Sequence, residues 1–182
     1  TTVLLVEAGL LARARDDLRA FEALTPPGAF REIWRRLLEG WLRTRSGELA
    51  LGRDLCDEAA ALAEAPRVRS PLWGMQALYF AAEACLDQGD LVGARRRAER
   101  ALGWAALPRV RKGWLEARTR RLLSRCHLRA DDLDAAAAES TRALDVAWRL
   151  QNPGEQAHGL LLEAEVALGR KHHDLALELA PD

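Results

Sequence analysis

Apolar and polar positions recur with the period of an α-helix along nearly the whole chain. Leu4, Leu11, Leu18 and Phe21 fall on one helical face, and Trp73, Ala77, Phe80, Ala81 and Ala84 fall on another. This is the spacing expected where one stripe of a helix faces a core. No segment shows the apolar–polar alternation of a strand. The pattern predicts helices near 2–24, 29–45, 48–65, 71–88, 90–106, 110–129, 132–150, 155–169 and 172–180. Pro26, Pro27, Pro66, Pro108 and Pro153 punctuate the joins. Proline lacks an amide donor and is tolerated only where a helix starts or has ended.

A second periodicity lies over the first. Gly40, Gly52 and Ala59 are separated by twelve and then seven residues, and the same offsets recur in Ala82, Ala94 and Ala101 and in Ser124, Ala136 and Ala143. Ala164 and Ala176 begin a fourth set. Successive sets start 42, 42 and 40 residues apart. Between the first and second small residues stand the pairs Gly47-Glu48, Gly89-Asp90 and Asp131-Asp132, with Lys171-His172 in the fourth set. Small residues allow two antiparallel helices to approach closely. Glycine lets the backbone leave the first helix with positive φ. The acid that follows is placed to cap the next helix and to complement its dipole. Each unit of about 42 residues therefore reads as a helix–turn–helix hairpin, and fixed-period self-similarity of this kind marks a stacked repeat.

The run AAEACLDQGDLVGARRRAERAL at 81–102 resembles a tetratricopeptide repeat core through Ala82, Gly89, Asp90, Ala94 and Ala101. A second copy matches at Ser124, Asp131, Asp132, Ala136 and Ala143. The units are longer than the usual ~34 residues of that family. In this they are similar to the repeat arrays of large bacterial transcriptional regulators. The resemblance implies an all-α fold, a right-handed α-solenoid of antiparallel helix hairpins with eight or nine helices. It implies one repeat domain over 1–182: full repeats at 28–68, 69–109 and 110–153, and truncated ones at 1–27 and 154–182. Because solenoid ends normally carry a polar capping helix, both ends read as open. The parent protein then continues, or the ends associate with another copy.

Composition narrows the chemistry. Lys and Arg together equal Asp and Glu at 27 each, so the chain lacks the basic excess of a nucleic-acid coat. Lys112 and Lys171 are the only lysines. Cys56, Cys85 and Cys126 are far apart with no CxxC pair, which fits buried free thiols in a reducing cytoplasm rather than zinc or redox chemistry. No run reaches the ~18 apolar residues of a membrane span. No phosphate-loop, dinucleotide, nucleophile-elbow or zinc-protease motif occurs. An enzyme and a bound cofactor are therefore not expected.

In arrays of this family the first helix of each hairpin lines the concave groove. Mapped by offset from the small residues, the resemblance places Trp34, Trp41, Tyr79, Trp114, Arg118, Arg121, Arg125 and Arg129 on that face, with His158, Leu161 and Glu165 following in the fourth set. Trp114 and the four arginines after it run at helical spacing along one stripe. Clustered guanidiniums repel one another unless anions lie among them, and each offers a planar fork to a carboxylate or phosphate. The stripe is either a face paired with acids of neighbouring helices or a seat for an acidic, partly apolar peptide. Other clusters read as inert. Arg95-Arg96-Arg97 with Arg100 lie on a second helix and form a solvated back. Cys126 and His127 are adjacent and so face different ways. His172-His173-Asp174 lack the i, i+4 spacing of a helical metal pair.

The expected function is a protein–protein interaction scaffold, the repeat or sensor region of a bacterial regulator, holding a peptide or partner protein in its groove. A small-ligand or peptide-pheromone sensor without catalysis is the alternative.

Overall fold

In a computed structural model, residues 10–105 and 113–171 are described. Among them are eight helices and no strand. They are α1 (Leu11–Leu24), α2 (Ala29–Arg45), α3 (Leu49–Glu64), α4 (Pro71–Gln88), α5 (Leu91–Ala105), α6 (Trp114–Arg129), α7 (Leu133–Arg149) and α8 (Pro153–Gly169). The expected helix at 172–180 lies outside the described residues, as do the first residues of the expected 2–24 and 110–129 helices. The chain divides into two compact units, residues 1–104 and 105–182.

Hairpin turns repeat one backbone conformation. Gly47 and Gly89 have φ of +87° and +81°, and Asp131 and Lys171 have +60° and +62°. After each of the first three, the N–H of Glu48, Asp90 and Asp132 donates back at 2.9 Å to the carbonyl of Arg43, Cys85 and His127. This six-to-one bond around a left-handed residue is the Schellman ending of a helix. Lys171, which carries no sequence mark of a turn, still adopts the left-handed conformation at the end of the fourth first helix.

Two of the three turn acids cap as expected. Asp90 Oδ1 accepts from Gly93 N at 2.8 Å, and Asp132 Oδ1 accepts from Ala135 N at 3.2 Å. Glu48 departs from the expectation: its carboxylate takes Arg43 Nη1 at 3.0 Å and makes no cap. The extra methylene carries the Glu48 carboxylate past the free amides that a shorter aspartate meets. Asn152 provides a cap that the turn pattern did not anticipate, accepting from Glu155 N at 3.2 Å ahead of Pro153.

The small residues sit where helices cross. A Cβ on Gly40 would lie 2.7 Å from Cys56 Sγ and 2.8 Å from the Gly52 carbonyl oxygen. One on Gly52 would overlap Thr44 Oγ1 and stand 2.7 Å from the Gly40 carbonyl oxygen. In the next hairpin Ala82, Ala94 and Ala101 are fully buried. In the third, Ser124 Oγ donates to the Ala136 carbonyl at 2.7 Å, bridging α6 and α7 through a side chain just large enough to span the gap. All three cysteines are free and buried. Burial pushes the Cys56 and Cys85 thiols upward, opposed at Cys85 by Arg97, which keeps both protonated and unreactive. No helix among the described residues is long and apolar enough to cross a membrane.

Gly52→Ala is expected to destabilise the chain by about 1–3 kcal/mol through overpacking. Gly103→Ala, whose Cβ would meet nothing within 4 Å, should be neutral or stabilising by up to about 1 kcal/mol. Urea unfolding of the two variants checks this, and equal midpoints would contradict a close-packed crossing.

Candidate partner-binding site

In unit 1 the first helices of adjacent hairpins, α2 and α4, meet through aromatic rings. Trp41 stacks on Phe80 with centroids 4.5 Å apart and planes 8° from parallel. Near the helix starts Trp34 meets Trp73 at 4.3 Å, and Phe30 approaches both rings edge-on at 6.2 and 6.1 Å. Trp41 and Tyr79 are only 5% and 6% exposed, so their surfaces are largely spent on packing between helices. Tyr79 directs its hydroxyl to Glu83 at 2.6 Å. Trp34 and Trp73 are half-buried and Phe30 is exposed. The aromatic surface left to a partner in this unit is therefore centred on Phe30, Trp34 and Trp73. Of these, sequence reasoning singled out Trp34.

In unit 2 the same position is ionic. Glu155, in the first turn of α8, is only 4% exposed, and both of its carboxylate oxygens are engaged. Oε1 accepts from Arg118 Nε at 2.9 Å, and Oε2 accepts from Arg121 Nη1 at 2.6 Å. The Arg118 guanidinium also lies over the Trp114 ring, 4.7 Å from its centroid, a cation–π contact worth about 0.5–1 kcal/mol at an exposed site. Trp114 itself is half-exposed. Arg125, one turn beyond Arg121, is exposed. His158, one turn beyond Glu155 on α8, is exposed as well and senses Arg118, Arg121 and Arg125. Arg129 is exposed at the end of α6. The unit thus assembles Trp114, three arginines, one carboxylate and one imidazole on two first helices.

A positional rule connects the two units. Trp34 and Arg118 each stand six residues before the small residue of their helix, Gly40 and Ser124. Trp73 and Glu155 each stand nine before theirs, Ala82 and Ala164. The position nine before packs on the position six before from the preceding hairpin, as tryptophan on tryptophan in unit 1 and as carboxylate on guanidinium in unit 2. This offset would have found Trp73 and Glu155 in the sequence.

The other clusters are largely structural. Arg95 and Arg96 are exposed, as expected. Arg97 is not merely solvated: it is half-buried, with Nη2 2.6 Å from Asp57 Oδ2 and Nη1 3.3 Å from Cys85 Sγ. The apolar reach of its side chain lets it cross from α5 to α3, which adjacency in an arginine run does not reveal. His127 Nδ1 lies 3.4 Å from Asp132 across the turn. His172-His173-Asp174 lie outside the described residues.

Glu155→Ala removes the acceptor shared by two guanidiniums and is expected to cost about 1–3 kcal/mol, the scale of hydrogen bonds to charged groups. The partial exposure of both arginines holds it to that range. A double-mutant cycle with Arg121→Ala should give coupling between the two sites, whereas strict additivity would mean that the pair contributes nothing.

No protein-family model matches the chain, and no curated protein matches it in sequence. Solved structures do match in shape. The chain is similar to BtubC (BKLC) from P. vanneervenii with a TM-score of 0.77 at 14% identity, over 98% of this chain and 73% of that one. It is similar to the apo form of RapI with a TM-score of 0.78 at 10% identity, over 98% of this chain and 64%, just under two thirds, of that one. At such identities the likeness is one of fold: the chain is an all-α helical-repeat protein, an α-solenoid of antiparallel helix hairpins.

Proposed function

We propose that the chain is a non-catalytic interaction scaffold, the repeat or sensor region of a bacterial regulatory protein in the cytoplasm. It binds an acidic peptide or an acidic segment of a partner protein on the exposed face of α6 and α8. One observation carries this reading: Arg118 and Arg121 share a single buried carboxylate, Glu155, with the Trp114 ring against Arg118 and Arg125 exposed one turn beyond Arg121. Carboxylates shared by two arginines recur at Glu32, Glu39 and Glu139, each more exposed than Glu155; what sets Glu155 apart is its burial beside an exposed cation and an aromatic face. Here two share it, a third stands exposed beside them, and an aromatic face flanks the row.

The physical logic is preorganisation. Glu155 and Trp114 hold Arg118 and Arg121 in fixed orientation, so less side-chain entropy is lost when a ligand docks. Arg125 then supplies a charge-assisted bond at the exposed end, and Trp114 offers apolar area for a neighbouring side chain. The fold supports the reading as well, since stacked hairpins expose an extended face of first helices.

A fluorescently labelled peptide rich in glutamate and leucine is the probe. Arg125→Glu should weaken its binding at least about tenfold, equivalent to about 1.4 kcal/mol, and added salt should weaken it further. Arg125 is the informative position because Arg121 also supports Glu155. Equal affinity of wild type and Arg125→Glu in an anisotropy titration would refute the assignment, and binding of an uncharged peptide alone would favour an apolar-ligand sensor instead.

A further inference from the structure

His158 is the one imidazole among the described residues that shares a face with the arginine cluster. It sits one helical turn after Glu155 on α8, so both side chains project from the same side of that helix toward α6. From α6, Arg118, Arg121 and Arg125 act on it, and from its own helix Glu155 does. From α7, Leu144 meets α8 at Gly159, and the Thr141 hydroxyl bonds Glu163. Glu155 is already engaged by Arg118 and Arg121, while Arg125 and His158 are both exposed. The open ground of the cluster is therefore bordered by a guanidinium on one helix and an imidazole on the other.

Resting on the acidic-partner reading above, we propose that His158 is a contact residue for the partner's acidic group and takes up a proton from solvent as that group enters beside Arg125. The neutral ring offers one N–H and one bare nitrogen, whereas the imidazolium offers two donors. An anion placed there favours the charged form, and the protonated ring then donates a charge-assisted hydrogen bond to the anion. Partner affinity thereby becomes linked to pH within the range where histidine titrates.

The sign follows from the free state. Desolvation, first, and then Arg121, with Arg118 and Arg125 adding to it against the opposing Glu155, hold His158 below its ordinary range. A bound anion offsets the arginines and moves the ring upward. Affinity is then weakest above the bound-state pKa, rises as pH falls through it, and levels off below the free-state pKa. The gain is about tenfold for each unit by which the ligand raises the ring. The peptide's carboxylates remain ionised down to about pH 5.5, so they do not mask the effect.

The experiment has two arms on the full chain. In the first, anisotropy titrations with the labelled glutamate–leucine peptide run between about pH 7.5 and about pH 5.5 for wild type and His158→Gln. The expected result is affinity that rises severalfold on acidification in wild type and is flat in His158→Gln. A flat wild-type profile, or a rise that persists in His158→Gln, overturns the proposal while leaving the acidic-partner reading intact. Failure of the peptide to bind at any pH overturns both. In the second arm no ligand is present, and NMR follows His158 in wild type and Arg125→Glu. Exchanging a nearby cation for an anion must raise the His158 pKa, and an unmoved titration separates His158 from Arg125 and overturns the proposal independently of any peptide.

Discussion

The contact on which the rest of the fold depends is the crossing of each hairpin's two helices at side chains of minimal size. At Gly40 and Gly52 the backbones come so close that neither position has room for a methyl group without displacing its neighbours. At Ser124 the gap is bridged by one hydroxyl–carbonyl bond. A crossing of this kind fixes the height of one helix on the other, and with it the direction in which every residue of the first helix points. Positions counted from the small residue then acquire fixed partners on the next hairpin. That is why Trp34 with Trp73 and Arg118 with Glu155, though chemically unlike, occupy the same place in their respective units.

The two ways of filling that place have different physical characters. Stacked aromatic rings exclude water and add roughly 0.5–1.5 kcal/mol beyond the area they bury, and Trp41 on Phe80 is an example with both rings nearly out of reach of solvent. The ionic version contributes less to stability, because desolvating charges offsets much of their attraction. It contributes direction instead. Guanidiniums restrained by a buried carboxylate and a tryptophan face are held in fixed orientation. The same helical frame thus carries an aromatic contact in one unit and an ionic one in the other.

How much of this is legible in the sequence depends on range. The hairpins, their turns and the small-residue crossings are written within windows of a dozen residues or so, and the helix bounds from 29 to 105 agree with the structure to a residue or two. Glu48 misleads because the difference between capping and pairing with Arg43 is one methylene. Glu155 is harder to see. An acid in the first turn of a helix has a sufficient local explanation in the helix dipole, so nothing nearby announces partners more than thirty residues upstream. Trp41 and Tyr79 present the converse difficulty: a shared first-helix face does not distinguish surface open to solvent from surface closed by the neighbouring helix.

Lys171 shows what such a frame tolerates. A left-handed lysine costs about 1–2 kcal/mol relative to glycine, yet Lys171 adopts that conformation. In a stacked architecture each unit is held by its neighbours, so a local misfit can be absorbed. The fold thus demands little information per unit: size at three positions and a backbone angle at one. The remaining positions can drift or be recruited to new partners, which is how a chassis can persist at 10% and 14% identity while the lettering on its surface is rewritten.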